Sequence, residues 1–495
     1  MNNKKLIFGC IFSGFMMGMA QQPLGLGWLA WFSLIPLIFV LNECKTKKLS
    51  FFIGYLWGII YYLHTIFWLA MNIGTTPFVG MISMIISVLY CSLNSAFICL
   101  IIFFFKSHYD RRWIWLFPFV WTSVEYIRNM DVLTGGPWTS LANTQIDFLT
   151  LVQNVEIFGI YGVSFWIVIL NVAIFNWIDR PYTKHAFLMI PIYFLPWLSG
   201  LYLTPNPNFD NNKSLDVSLV QPNIHLFDKR KKNSSKEIIE SIIEFSKSEI
   251  IDSVDLLIWP ESALPAYILQ KNKLYLNLIQ SSLNSTKLLT GLPYYVDINN
   301  DRKKFNSAVV LSSSNTSEVY NKLVLVPLGE YIPLSTYFPS FSNIDLGQAN
   351  FTHGDEFKLF KINEYLIASM ICFESTIPSL STRFVRSGAE VLVYLVNDGW
   401  YEHPPEPQQH AKQAIFRAIE NRRPVLRCAN TGISMIIDKT GNIIKKISLN
   451  EKGIINASIV PNNRITFYTR YGDLLAQLSL IVSLSFVFLI IPRKK

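Results

Sequence analysis

Cysteine is scarce in this chain, with six in 495 residues, and Cys10, Cys44, Cys91 and Cys99 fall in or beside apolar stretches. Only Cys372 and Cys428 lie elsewhere, and no paired spacing suggests a disulfide framework or a zinc site. The seven histidines form no H-E-x-x-H or comparable cluster, so neither a metal nor another cofactor is expected. Charge is thin too: Asp, Glu, Lys and Arg make up 16% of the residues, against about a quarter in ordinary soluble chains. Internal repeats and low-complexity linkers are absent. A net charge of +9 would suit a nucleic-acid binder, but much of the basic charge flanks apolar segments, and that reading is set aside.

What is abundant is apolar, 51% of the residues, and it is unevenly placed. It fills residues 5–203 and 474–491, whereas 210–470 has the charge density of a soluble α/β protein. A helix needs about 20 apolar residues to cross a bilayer core. The candidate spans are 5–20, 25–42, 51–73, 79–105, 113–128, 157–177, 186–203 and 474–491, about eight helices in all. The stretch before Cys10 is too short for a signal peptide or a lipidation box, so the first span is expected to stay uncleaved. Lys4/Lys5, Lys45/Lys47/Lys48, Lys106/Arg111/Arg112, Arg180/Lys184 and Arg493/Lys494/Lys495 occupy alternate connections. That pattern puts both termini in the cytoplasm and 204–473 on the other side. Ionisable residues are rare inside the spans, which argues against a transporter or a receptor.

The soluble part alternates strands and helices. Val217–Gln221, Leu256–Trp259, Lys287–Leu292, Ala308–Ser312, Leu366–Ile371 and Glu390–Val396 read as strands. Ser234-Ser235-Lys236-Glu237 is a capping box opening an amphipathic helix. Further helices are expected at about 376–387 and at Gln408–Asn421, the latter stopped by Pro424. Such alternation implies an α/β domain with helices covering the sheet.

Three side chains in it suit covalent chemistry. Cys372 follows an apolar strand directly, a position that exposes a nucleophile near backbone N–H groups. A lone cysteine is more often simply buried, and that alternative stands. Glu261 ends the strand Leu257-Ile258-Trp259-Pro260, where partial desolvation would make it a base rather than a solvated loop acid. Lys322 precedes the apolar run Leu323–Pro327 and would stabilise a thiolate and then an oxyanion, though most lysines do nothing but face water.

Taken with their neighbours, these residues carry a resemblance. Trp259-Pro260-Glu261-Ser262-Ala263, Tyr320-Asn321-Lys322 and Cys372-Phe373-Glu374, in that order, resemble the Glu-Lys-Cys triad of the carbon–nitrogen hydrolase (nitrilase) superfamily. Leu325-Val326-Pro327-Leu328-Gly329-Glu330-Tyr331-Ile332-Pro333, set between many spans, is similar to a string of its membrane branch, the apolipoprotein N-acyltransferase family. Asn397-Asp398-Gly399-Trp400, Gln409-His410, Arg417–Glu420, Glu125-Tyr126-Ile127-Arg128 and Gly135-Gly136-Pro137-Trp138 extend the similarity over nearly the whole chain. Gly136, Phe373 and residues 401–407 depart from the family pattern, all near pocket or lid.

The resemblance implies a transmembrane bundle over 1–203, an extracytoplasmic nitrilase-like αββα sandwich over 204–472, and a final helix with a basic tail over 473–495. It implies a catalytic Glu261, Lys322 and Cys372, with Glu330, Glu374 and Phe373 in support. Trp138, Asn397, Trp400, Tyr331 and Pro333 would bind substrate or form a lid, and Leu264–Leu269 and Tyr331–Phe341 would be arms dipping toward lipid. The expected reaction moves an acyl chain from a phosphatidylethanolamine-like phospholipid, through a Cys372 thioester, to the α-amine of a diacylglyceryl apolipoprotein. No cofactor is needed. The expected setting is the bacterial inner membrane, with a monomer whose catalytic domain faces the periplasm. The competing reading is a membrane-tethered amidase that hydrolyses a small amide.

Overall fold

Helices occupy each apolar stretch picked out above. The computed structural model describes every residue except 1–2, 131–135, 182–186, 205–212, 230–233, 252–253, 299–300, 333–349 and 491–495. Two compact units emerge: Met1–Asn72, Thr76–Pro205 and Tyr471–Lys495 form one, and Ile73–Thr75 with Asn206–Arg470 form the other.

In the first unit, Lys47–Met71, Pro77–His108 and Val155–Asp179 are long and apolar enough to cross a membrane. Gly27–Glu43, Met189–Leu203 and Leu474–Ile490 are shorter apolar helices, and Asn3–Ala20 and Phe117–Met130 occupy the remaining expected positions. Gly54 and Gly58 explain how Lys47–Ile66 packs on Pro77–His108. A Cβ on Gly54 would fall 2.5 Å from the Ser95 carbonyl oxygen, and one on Gly58 would fall 2.7 Å from Ser92 Cα. Only the small-xxx-small spacing lets the two backbones approach so closely. Two charged residues here find partners: Glu125 Oε1 accepts from Trp121 Nε1 at 3.2 Å and from the Leu141 N–H at 3.0 Å, and Arg128 donates to the Tyr62 hydroxyl at 3.0 Å.

Among the described residues the second unit holds twelve strands: β1 (Leu215–Gln221), β2 (Leu256–Ile258), β3 (Lys287–Ile298), β4 (Asp301–Leu311), β5 (Tyr320–Asn321), β6 (Leu359–Ile362), β7 (Tyr365–Ile371), β8 (Val391–Val396), β9 (Val425–Ala429), β10 (Ser434–Ile437), β11 (Ile443–Ile447) and β12 (Gly453–Ile459). They make two six-stranded sheets, ordered β12-β1-β2-β3-β4-β5 and β11-β10-β9-β8-β7-β6. In each, two parallel pairings (β1–β2–β3 and β7–β8–β9) lie at the centre and antiparallel strands flank them. Central strands are apolar on both faces; β8, Val-Leu-Val-Tyr-Leu-Val, is buried at every position. The sheets meet where the Cys428 thiol of β9 donates to the carbonyls of Val220 and Ile258, 3.3 Å each. Helices Ser234–Phe245 and Lys273–Ser282 cover the first sheet through Ile238, Ile239, Ile242 and Ile279. Pro378–Arg386 and Glu406–Asn421 lie with the second sheet, so the layers run helix, sheet, sheet, helix.

One expectation fails on this core. Leu264 and Ile268 are fully buried and Ala266 nearly so, packed with Trp259 and Leu292. Alternate residues of 264–269 are therefore an inner seam of the α/β unit, with Pro265, Tyr267 and Leu269 half-buried, rather than an apolar arm given over to lipid. Their apolar character is explained by burial under the first sheet's helices.

Candidate active site

The Cys372 thiol is presented by a backbone turn that few residues tolerate. β7 ends at Ile371, and Cys372 takes φ +53°, the left-handed region that an L-residue adopts only when its surroundings hold it there. A short 3-10 turn, Cys372–Thr376, follows. Glu374 fixes that turn and is fully buried. Its carboxylate accepts from the Ile371 N–H at 2.8 Å, the Leu323 N–H at 2.7 Å, the Val324 N–H at 3.1 Å and the Tyr320 hydroxyl at 2.9 Å. It thus ties the Cys372 turn to the Lys322 segment from beneath. Burial lifts its carboxyl to about 7, against the pull of Lys322 and those donors.

Lys322 follows the two-residue strand β5, and its N–H donates to the Asn306 carbonyl at 2.8 Å. The side chain is 1% exposed and its Nζ lies 2.9 Å from Glu330 Oε2 and 3.9 Å from Glu261 Oε1. Burial alone would lower this ammonium's pKa, but the carboxylates of Glu330 and Glu261 reverse that and hold it protonated. Glu330 is itself anchored by the Val326 N–H, 2.8 Å from Oε2. Asn306, on β4, joins the two acids, its amide donating to Glu261 Oε1 at 2.7 Å and to Glu330 Oε1 at 2.9 Å.

Glu261 lies just past β2, where Pro260 and the adjoining Gly291 set its approach: a Cβ on Gly291 would strike Glu261 Cα at 2.8 Å. Burial raises the Glu261 carboxyl, Lys322 opposes this and Glu330 adds to it; the Cys372 thiol is a hydrogen-bond partner. The thiol is pushed well above its ordinary value by burial and then by the Glu261 charge, with Lys322 pulling the other way. Burial and the Glu261 carboxyl thus oppose ionisation of the thiol, and Lys322 favours it.

The structure brings Glu261, Lys322, Cys372, Glu330 and Glu374 together. Phe373 is buried at 8% exposure. Asn397, at the end of β8, accepts from Asn430 Nδ2 at 3.1 Å, and Trp400 follows on the same loop, half-buried. Tyr331 packs edge-on to His353, ring centres 4.8 Å apart, while Pro333 and the rest of the 333–341 arm lie outside the described residues. Trp138 belongs to the other unit, buried against Trp68 with ring centres 5.1 Å apart.

Sequence reading missed Asn306, and it missed that Asp398, His410 and Arg427 form one buried set behind Cys372. Asp398 and His410 lie in strings that carry the resemblance, but the three come from a loop, a helix and a strand, so no local pattern shows that they meet. His410 Nδ1 lies 2.8 Å from Asp398 Oδ1, and Arg427 donates to Asp398 Oδ2 at 2.8 Å. Burial would raise Asp398, but Arg427 and His410 outweigh it and hold the carboxyl down at about 2. Donor atoms of Cys372, Asp398 and His410 lie within 4.8 Å of one another, the one group among the described residues spaced to hold a metal ion. Both Asp398 oxygens and both His410 nitrogens already have protein partners, so the group is a closed hydrogen-bonded set.

A carboxyl, an ammonium and a thiol in this arrangement on paired six-stranded sheets define a carbon–nitrogen hydrolase, and residues 216–466 match the family model of that description. Residues 13–173 match the model of the apolipoprotein N-acyltransferase N-terminal domain. The apolipoprotein N-acyltransferase of Geobacter metallireducens is 31% identical over 487 residues, 94% of this chain and 91% of that one. That of Haemophilus ducreyi is 30% identical over 98% of this chain and 96% of its own length. The solved amidase from Nesterenkonia sp. is 13% identical with a TM-score of 0.40, over 55% of this chain and 100% of that one. The chain belongs to the apolipoprotein N-acyltransferase family. It is an acyltransferase that acts in lipoprotein N-acylation.

Proposed function

We propose that the enzyme transfers an acyl chain from a membrane phospholipid to the α-amine of a lipoprotein's N-terminal diacylglyceryl-cysteine, through a thioester on Cys372. The observation that carries this reading is the convergence of Glu261 and Lys322, both buried, on the Cys372 thiol. In the first half, Sγ attacks the ester carbonyl as its proton passes to Glu261, the acid that burial makes more basic. The Lys322 ammonium and the N–H of residue 373 stabilise the oxyanion. The C–O bond then breaks, and Glu261 returns the proton to the departing lysophospholipid oxygen. In the second half the neutral α-amine attacks the thioester, Glu261 takes the N–H proton, the C–S bond breaks and sulfur leaves with that proton. Glu330 keeps Lys322 in place, Glu374 holds the turn, and Phe373, Asn397, Trp400 and Tyr331 shape the approach to it.

The membrane placement belongs to the same reading. Eight helices span the bacterial inner membrane, 1–203 and 473–495 form the bundle, and 204–472 faces the periplasm as the catalytic domain of a monomer. The alternating basic connections support it. The donor is of the phosphatidylethanolamine type. A diacylglyceryl-cysteine peptide with a free α-amine discharges the thioester, and its N-acetylated copy does not. Equal discharge by both peptides, or by water alone, would make the enzyme a hydrolase.

A further inference from the structure

Acyl transfer as written above gives His410 no part, yet this side chain is buried directly behind the nucleophile. It lies on helix Glu406–Asn421 at 2% exposure, with the Glu406 carboxylate 3.9 Å from Nδ1 in addition to Asp398. Its other nitrogen, Nε2, sits 3.2 Å from the carbonyl oxygen of Cys372 and 3.0 Å from Ser375 Oγ. The Ser375 hydroxyl donates to that same Cys372 carbonyl at 2.7 Å. The carbonyl is the part of the turn that needs holding. With Cys372 at φ +53° the peptide that follows cannot relax into a helical or extended neighbour without swinging the thiol away from Glu261.

We propose that Asp398 and His410 form a positioning pair, which clamps the Cys372 carbonyl through the Nε2 edge and so holds the left-handed turn that aims the thiol. The role rests on the reading of Cys372 as the nucleophile. Both ring nitrogens act as donors in this clamp: Nδ1–H donates to Asp398, which orients the ring, and Nε2–H donates to the Cys372 carbonyl, while Arg427 pins the second Asp398 oxygen, so the ring cannot rotate without weakening the hold on a buried carboxylate. That Asp398 stays ionised down to about 2 agrees with its task as a fixed acceptor. The ligand atoms of Asp398 and His410 lie within 4.8 Å of the Cys372 sulfur, but the hydrogen bonds from His410 run to the Cys372 carbonyl and Ser375 rather than to sulfur. Misplacing a nucleophile by about 1 Å lowers the chemical step on the order of 10²-fold while leaving substrate binding alone.

Glutamine and asparagine at 410 divide the two edges of the ring. In His410→Gln the amide nitrogen reaches the Nε2 position and still meets Ser375 and the Cys372 carbonyl. In His410→Asn the shorter amide meets Asp398 alone. Single-turnover thioester formation, followed by intact-protein mass with phospholipid donor, is expected to stay within roughly tenfold of wild type for Gln and to fall on the order of 10²-fold for Asn, with KM for phospholipid unchanged in both. Equal rates for Gln and Asn, or a loss confined to KM, overturn the proposal. Ser375→Ala, which removes the smaller donor to the same carbonyl, reads the effect if the His410 variants unfold: kcat falls several-fold at constant KM, and an unchanged kcat overturns it. Cys372→Ala run in parallel separates the two readings. Acyl transfer by that variant would sink the nucleophile assignment, whereas a dead Cys372→Ala beside wild-type rates in both His410 variants would sink the positioning role alone.

Discussion

Methionine in place of Lys322 removes the one cation that two buried carboxylates share. Nζ lies 2.9 Å from Glu330 and 3.9 Å from Glu261, and the side chain is 1% exposed, so water cannot replace it. Breaking a buried ion pair from one side costs about 3–5 kcal/mol, because the charge left behind has neither solvent nor partner. The stranded acids then compete for a proton. Asn306 still bridges them, and like charges at this range raise one carboxyl strongly. Glu261 loses its standing as a base at the same time as the oxyanion loses its ammonium, so thioester formation falls by more than about 10²-fold. Thermal unfolding in detergent and single-turnover acylation measure the two effects separately. The stability loss shrinks as pH falls, since protonation discharges the stranded acids. Lys322→Met/Glu330→Gln, which removes one of those charges, recovers much of the stability and none of the turnover. A Lys322→Met enzyme as stable as wild type at pH 8, or a double variant that regains turnover, would refute the reasoning.

Further expectations follow from other parts of the molecule. Glu374→Gln turns an amide NH2 toward N–H donors and costs about 1–3 kcal/mol in unfolding stability. The carboxyl is raised to about 7, so its contribution to stability is complete below about 4.5 and lost as pH rises through about 7, roughly 3 kcal/mol in all; a Gln variant that keeps the wild-type pH slope would contradict this. Gly58→Val forces Cβ onto Ser92 Cα at 2.7 Å and should lower the unfolding midpoint of the membrane unit, whereas Gly25→Ala, with nothing within 4 Å, should be far milder in packing terms. In a Cys372→Ala background, an impermeant thiol reagent applied to spheroplasts labels Asp301→Cys and spares Lys48→Cys; the reverse pattern would invert the proposed topology.

The sequence carried the catalytic strings well because each sits at the end of an apolar strand: Leu257-Ile258 before Glu261, Met370-Ile371 before Cys372. Strands made wholly of buried apolar residues, such as β8, stand out from their flanks. Those of the C-terminal half were less visible. β11, Ile-Ile-Lys-Lys-Ile, is exposed at four of five positions and lacks the alternation of a half-buried strand. Composition does not reveal the buried arginines either: Arg417, Arg423 and Arg427 are almost wholly buried, against the usual exposure of the residue type. Arg423 donates to the nearby Asn421 carbonyl and also to those of Ala389 and Arg464, 34 and 41 positions away, contacts that no local pattern encodes. Gln409-His410 is visible as a family string, but 38 positions of chain hide that its ring reaches the Cys372 carbonyl. Apolar composition at 264–269 suited lipid and core equally, and only the fold of the first sheet distinguishes them.

The central claim is that Cys372 carries the acyl chain between the two substrates. Purified enzyme incubated with a phospholipid of defined acyl chains and no acceptor, then digested and mapped by mass spectrometry, tests it most directly. The account predicts one acyl mass on the Cys372 peptide, labile to neutral hydroxylamine and absent from Cys372→Ala and from Cys428. An acyl group found on another residue, or full turnover in Cys372→Ala, would contradict it.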